Sequence, residues 1–312
     1  EAGRSERLPG FDRPLVASQA RFSPDGKRIA YVERAVSGRL WVFDVERGTH
    51  RALSRDGIAG CPRWSPDGSR LAVGWSREGV VGLWLVSLEG DAEWQPLAEG
   101  GWNFPGSWSP DGRVVAFTRS ARRAGAAASD RDILLYDLES RGIEPFLATD
   151  AYESQPEFSP DGRWLAYSSS ESGRFEVYVT SYPDRRRTQV VSPDGGFSPT
   201  WSPDGRRLFF LSGARGTPGQ PRALMQADMA PGPELRVGRV KRLFPLPDRT
   251  LLAAPLRDYD VHPDGRHFLF ARLAESEPRP PITRLTLVHN WFSELERLTS
   301  TDGPGAARGP PP

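Results

Sequence analysis

"VVSPDGGFSPTWSPDGRRLFF", residues 190–210, holds the tetrapeptide SPDG twice, at 192–195 and at 202–205. Only the second copy has an aromatic residue before it (Trp201) and an alternating apolar run behind it (Leu208, Phe210). The pattern recurs as "RFSPDGKRIAYV" (21–32), "RWSPDGSRLAVG" (63–74), "SWSPDGRVVAFT" (107–118), "EFSPDGRWLAYS" (157–168), "TWSPDGRRLFFL" (200–211) and "DVHPDGRHFLFA" (260–271). Successive copies start 42, 44, 50, 43 and 60 residues apart. A period of 40–50 residues is the length of a four-stranded propeller blade. The copy at 192–195 lacks both flanks and falls where a connection between blades belongs, so the count is six units.

The chemistry of the repeat is that of a tight hairpin. Pro presets φ at the second turn position, Asp bonds the nearby backbone, and Gly takes the left-handed conformation that closes the turn. Behind each turn both strand faces are apolar, as in Ile29-Ala30-Tyr31 and Leu165-Ala166-Tyr167. Such a strand is buried on both sides, between neighbouring sheets. Third strands are expected at 40–45, 81–88, 132–138, 175–182, 222–229 and 284–291, and outer strands at 50–54, 94–99, 143–149, 188–192 and 240–246. The sixth unit lacks an outer strand of its own. After it, "NWFSELERL" has helical spacing, with Trp291, Leu295 and Leu298 on one face. The unclaimed "RPLVA" (13–17) fits the vacant outer position, because Pro14 suits an edge strand, and pairing the two chain ends closes the ring. The expected fold is therefore all-β: a six-bladed β-propeller of four-stranded antiparallel blades, closed by the N-terminal strand, with a short C-terminal helix. One domain spans 1–299, with turns at 22–26, 64–68, 108–112, 158–162, 201–205 and 261–265; the tail 300–312 is expected to be disordered.

Composition narrows the function. The 312 residues carry 41 Lys and Arg against 40 Asp and Glu, a net charge of +1, which favours neither nucleic acid nor an acidic membrane as partner. Cys61 is the only cysteine, so no internal disulfide forms. No run of 18 apolar residues exists to span a membrane. The opening "EAGRSER" reads as a polar lead-in and as the cut end of a longer chain.

The repeat resembles the TolB-like, WD40-like (PD40) β-propeller family over about 280 residues. The ending "YDVHPDGRHFLFARLAESEPRPPITRLTLVHNWFSELERL" (259–298) resembles propeller domains that follow the membrane segment of bacterial receptor-type serine/threonine kinases, with His262 in place of the usual Ser. That resemblance implies an extracytoplasmic sensor domain, in the periplasm or at the cell surface, tethered by an upstream transmembrane helix. The alternatives are a free-standing TolB-like periplasmic scaffold protein and a propeller lyase or hydrolase.

Catalytic signatures are missing. There is no GxSxG, no Gly-rich phosphate loop and no HRD or DFG triplet, so neither the peptidase that accompanies related propellers nor a kinase unit lies in these residues. His50, His262, His267 and His289 are read as surface or packing residues, and no metal or other cofactor is expected. Asp25, Asp67, Asp111, Asp161, Asp204 and Asp264 each serve their own turn, and Phe22, Trp64, Trp108, Phe158 and Trp201 pack between blades. The long links 120–131, 212–221 and 247–258 emerge on the face opposite the SPDG turns. They nominate that face for a protein, peptide or small polar ligand, with Trp102, Asn103, Tyr152, Glu153, Arg257 and Tyr259 around the axial mouth.

Overall fold

The computed structural model describes residues 8–10, 17–33, 38–54, 57–121, 130–213, 222–230, 234–246, 250, 257 and 259–271. The chain divides into two compact units, 1–274 and 275–312; the described residues all belong to the first.

Five four-stranded antiparallel sheets follow one another along the chain, each meandering from an inner to an outer strand. Blade one is β1 (Ala17–Phe22), β2 (Arg28–Glu33), β3 (Arg39–Asp44) and β4 (Thr49–Ala52). Blade two is β5 (Ile58–Trp64), β6 (Arg70–Arg77), β7 (Val80–Ser87) and β8 (Trp94–Glu99). Blade three is β9 (Trp102–Trp108), β10 (Val114–Ala121), β11 (Asp130–Asp137) and β12 (Ile143–Leu147). Blade four is β13 (Glu153–Phe158), β14 (Trp164–Ser169), β15 (Glu176–Ser181) and β16 (Thr188–Val190). Blade five is β17 (Gly196–Trp201), β18 (Arg207–Ser212), β19 (Ala223–Ala230) and β20 (Arg236–Pro245). A two-stranded sheet, β21 (Tyr259–Val261) and β22 (Phe268–Phe270), occupies the next position, and β21 touches both β17 and β1.

The structure thus shows five four-stranded blades where six were expected. The PDG turn reports a hairpin and nothing more: at the sixth repeat the described residues supply β21 and β22, joined by the turn, without a third or fourth partner strand. The strand expected at 284–291, the helix at 290–298 and the tail 300–312 lie outside the described residues, and among those described there is no helix. The closing strand expected at 13–17 also lies outside them, except Ala17, which pairs with Glu33 in β1. No helix among the described residues is long and apolar enough to cross a membrane. The links 122–129, 214–221, 247–249 and 251–256 fall outside the described residues too.

Each SPDG turn is wired in the same way. The Ser hydroxyl donates to the Asp carboxylate at 2.5–2.6 Å and accepts the N–H of the residue five positions on. The Gly N–H closes onto the carbonyl three residues back, and Gly26 to Gly265 of the six repeats have φ of 67–73°, where a side chain would be strained. Ser192–Gly195 makes the same closure between β16 and β17, as a link between blades.

The inner strands are bulged. Gln19, Cys61, Gln155 and Ser198 sit at φ of 52–60° where the registers of β1, β5, β13 and β17 slip. Each bulge turns the last residues of its strand toward the adjoining blade. The indole N–H of Trp64 then donates to the carbonyl of Arg21 at 3.0 Å, Trp108 to Arg63 at 3.0 Å, and Trp201 to Glu157 at 3.2 Å. Where the aromatic is Phe and has no donor, the preceding unit supplies a side-chain acceptor to its backbone instead. Ser107 Oγ takes the N–H of Phe158, and Asp260 Oδ2 takes that of Phe22, each at 2.8 Å. The second of these bonds joins hairpin β21–β22 to blade one by the same device that joins blades three and four.

Candidate functional site

The residue just before each aromatic, or before Val261 in the sixth repeat, is the one that faces the neighbouring unit, and in this chain those positions are Arg21, Arg63, Ser107, Glu157, Thr200 and Asp260. Together with Arg257, they build a buried polar cluster on the inner strands. Arg257 forms an ion pair with Glu157 at 2.9 Å and donates to the Pro199 carbonyl at 2.7 Å and to Thr200 Oγ1 at 2.8 Å. Arg21 donates to the carbonyls of Tyr259 (3.1 Å) and Arg257, and Arg63 to those of Gly106 and Pro62. The Tyr259 hydroxyl donates to the Ser198 carbonyl at 2.7 Å.

Burial sets the electrostatics here. It pushes the Glu157 carboxyl up, partly offset by the Arg257 and Arg63 guanidinium groups. Burial also pulls Arg63 well down, and repulsion from Arg21 and Arg257 adds to it. Removal from water raises the Tyr259 phenol beyond the usual range. These are groups held in place by one another and by inner-strand carbonyls, the arrangement of a polar brace.

The six residues nominated at the mouth part into two groups. Asn103, Glu153, Arg257 and Tyr259 are buried, at 1%, 2%, 3% and 1% exposure. Asn103 bonds the carbonyls of Ala98 and Gly100 and accepts from Arg119 at 3.0 Å. Glu153 accepts from Thr149, and burial raises its carboxyl. Arg257 and Tyr259 belong to the inner cluster.

Trp102 stands at the surface and Tyr152 is half-buried. Trp102, 45% exposed, stacks on Phe104 at 6.4 Å and 12°. The Arg131 guanidinium lies over both Phe104 (5.1 Å) and Tyr152 (4.8 Å), and Tyr152 meets Phe175 edge-on at 5.2 Å. The result is a continuous ladder, Trp102–Phe104–Arg131–Tyr152–Phe175, across blades three and four. Its members sit at the starts of β9, β11, β13 and β15, the end of the blades opposite the SPDG turns. Trp102 is exposed and the other four members are half-buried; an aromatic and cation row of this kind offers stacking contacts at low entropic cost.

Phe104, Arg131 and Phe175 were not among the nominated residues, nor were Arg21, Arg63, Glu157 and Asp260. The inner cluster had a signal in the sequence, the variable polar residue before each conserved-looking aromatic position of the repeat. The Arg131 bridge had none, because it depends on how far apart two blades stand.

A family model described as the TolB beta propeller domain (PD40) matches residues 12–129. An uncharacterized protein of Agrobacterium fabrum is 30% identical over 212 residues, covering 65% of this chain and 68% of its own length. The uncharacterized peptidase YuxL of Bacillus subtilis is 28% identical over 202 residues, covering 50% of this chain and 30% of its own length. The chain thus spans about 30% of the length of the peptidases it matches. Among solved structures, TolB from Acinetobacter baumannii aligns with a TM-score of 0.61 at 20% identity, over 78% of this chain and 57% of that one; the likeness is one of fold. From the repeat, the blades and the matching relatives together, the chain belongs to the TolB-like (PD40) β-propeller family.

Proposed function

We propose that this propeller is a non-catalytic binding module that works outside the cytoplasm and captures a protein or peptide on the face opposite the SPDG turns. The observation that carries this reading is the contrast between the two polar constellations. The buried cluster is spent on joining inner strands. The Trp102 end of the ladder is displayed to solvent and the rest of it is half-buried, and aromatic residues with Arg are the side chains that dominate protein interfaces. Membership in the TolB-like family favours a scaffold role over an enzymatic one. The domain is taken to run to residue 299.

Tethering behind a transmembrane serine/threonine kinase is the form of this reading that the ending at 259–298 favours; its residues beyond 271 lie outside those described. The coding sequence upstream of residue 1 decides it: a kinase and a membrane segment support the sensor role, and a signal peptide alone supports the free-standing scaffold. The peptidase relatives supply the competing reading. Incubation with peptide and pectin substrates, with product analysis, is expected to show no turnover, and turnover lost on altering the inner cluster would replace the binding role with an enzymatic one.

A further inference from the structure

The sixth turn differs from the other five in two places at once. Where they have Ser it has His262, and five positions on, where they have Arg28, Arg70, Val114, Trp164 and Arg207, it has His267. From the sequence the two histidines lack a third ligand, because Asp264 is assigned to the turn. The structure brings all three together: one donor atom from each lies within 4.8 Å of the other two. His262 Nδ1 is 3.2 Å from Asp264 Oδ1, and His267 Nδ1 is 2.6 Å from Asp264 Oδ2.

We propose that His262, Asp264 and His267 form a binding site for a divalent transition-metal cation of the zinc or nickel type. Two imidazoles and a carboxylate are the donor set such ions take, with a fourth position left to water. Metal–ligand bonds of about 2.0–2.2 Å put neighbouring donors roughly 3.4 Å apart, which the 3.2 Å His262–Asp264 separation already suits, while the 2.6 Å His267–Asp264 hydrogen bond must open. His262 Nδ1 accepts the N–H of Asp264 at 3.2 Å and His267 Nδ1 shares a hydrogen bond with Asp264 Oδ2 at 2.6 Å, so an arriving ion exchanges these contacts for metal bonds.

The ligands are held before any ion arrives. The carboxylate of Asp264 is fixed by the N–H groups of Arg266 (2.8 Å) and His267 (3.2 Å). The His262 ring stands edge-on to Phe22 at 4.8 Å and 85°. It also rests against Gly26, where an added Cβ would come within 2.7 Å of Nε2. His267 is open to solvent, with 76% of its side chain exposed, so an ion has a way in. Because His262 follows β21 and His267 precedes β22, an ion bound here ties the two strands of the hairpin together at their shared end. That end abuts the turn of blade one through Phe22 and Gly26, while the ion itself ties only the hairpin. A cation bound only by the folded state raises the unfolding midpoint by mass action.

The test is a titration of the full chain, freed of metal, with zinc chloride and with nickel chloride, by calorimetry and thermal unfolding. The expected result is one equivalent bound and a midpoint that rises with metal. His262→Ser restores the residue of the other five turns and is expected to fold normally while losing at least tenfold in affinity. His267→Gln, at an exposed position, is expected to lose at least as much. Absence of saturable binding to the unmodified chain overturns the site. So does binding that survives unchanged in both variants, which would place the ion elsewhere on the surface.

Discussion

Arg257 and Glu157 lie a hundred residues apart in the chain, yet they form the buried ion pair of the inner cluster. Removing one partner from such a pair leaves an unpaired charge in a dry site, at a cost of about 3–5 kcal/mol, whereas replacing both is often close to neutral. Arg257→Met is therefore expected to destabilise the propeller by that amount in denaturant titrations, and Arg257→Met with Glu157→Leu to recover most of it. The deficit of the single variant has a pH signature. A carboxyl whose folded pKa is raised contributes stability that is present below its unfolded pKa and lost as pH rises through the folded value. Without Arg257 the Glu157 pKa climbs further above its already raised value, so the deficit should be largest above that pKa and shrink as the pH falls through it, before the ordinary carboxylate range is reached. Glu153 follows the same sign. Burial raises it, so at pH 7 its charge is a burden, and Glu153→Gln is expected to raise stability by about 1 kcal/mol. Thermal scans should show that gain fading as the pH is lowered through the carboxylate range; a gain independent of pH would point to some other cause.

At the scale of the element, the five seams that carry an aromatic use two solutions to one problem. A Trp at the end of an inner strand donates its own N–H to the preceding blade, as Trp108 does to Arg63. A Phe cannot, and the preceding unit then carries an acceptor, Ser107 for Phe158 and Asp260 for Phe22. Ser107→Ala orphans a buried N–H and is expected to cost about 1–3 kcal/mol. Trp108→Phe leaves a carbonyl unpaired and should cost about 1 kcal/mol. Equal stability of Ser107→Ala and the unmodified chain, by chemical denaturation, would show that the seam does not depend on this bond. Both aromatic types are plain in the sequence as the residue before SPDG, and the hairpin behind them is legible for the reasons of local chemistry that any Pro-Asp-Gly turn obeys. What pairs with each aromatic is not, since the partner sits some 40 residues upstream and reveals itself only once neighbouring blades are docked. Asp264 shows the same limit from the other side. Its turn role was readable, but its meeting with both His262 and His267 depends on the curl of the hairpin.

For the whole molecule, repeat counting located every hairpin and misjudged what one of them contributes: six turns correspond to five four-stranded blades and a two-stranded sheet among the described residues. Loop length and mouth position likewise nominated one end of the blades for a surface site while naming four residues that the fold buries. Side chains at the start of an inner strand alternate between surface and interior, so Trp102 is displayed and Asn103, beside it, is not. The central claim is that the row that Trp102 opens to solvent binds a protein or peptide. Its most direct test is quantitative crosslinking of the purified chain in a bacterial envelope extract, comparing it with the double variant Trp102→Ala, Tyr152→Ala. Interface aromatics of this type commonly cost 2 kcal/mol or more on truncation, so a partner captured by the unmodified chain is predicted to fall at least tenfold in recovery with the variant, at unchanged thermal midpoint. Equal recovery by both chains would contradict the account.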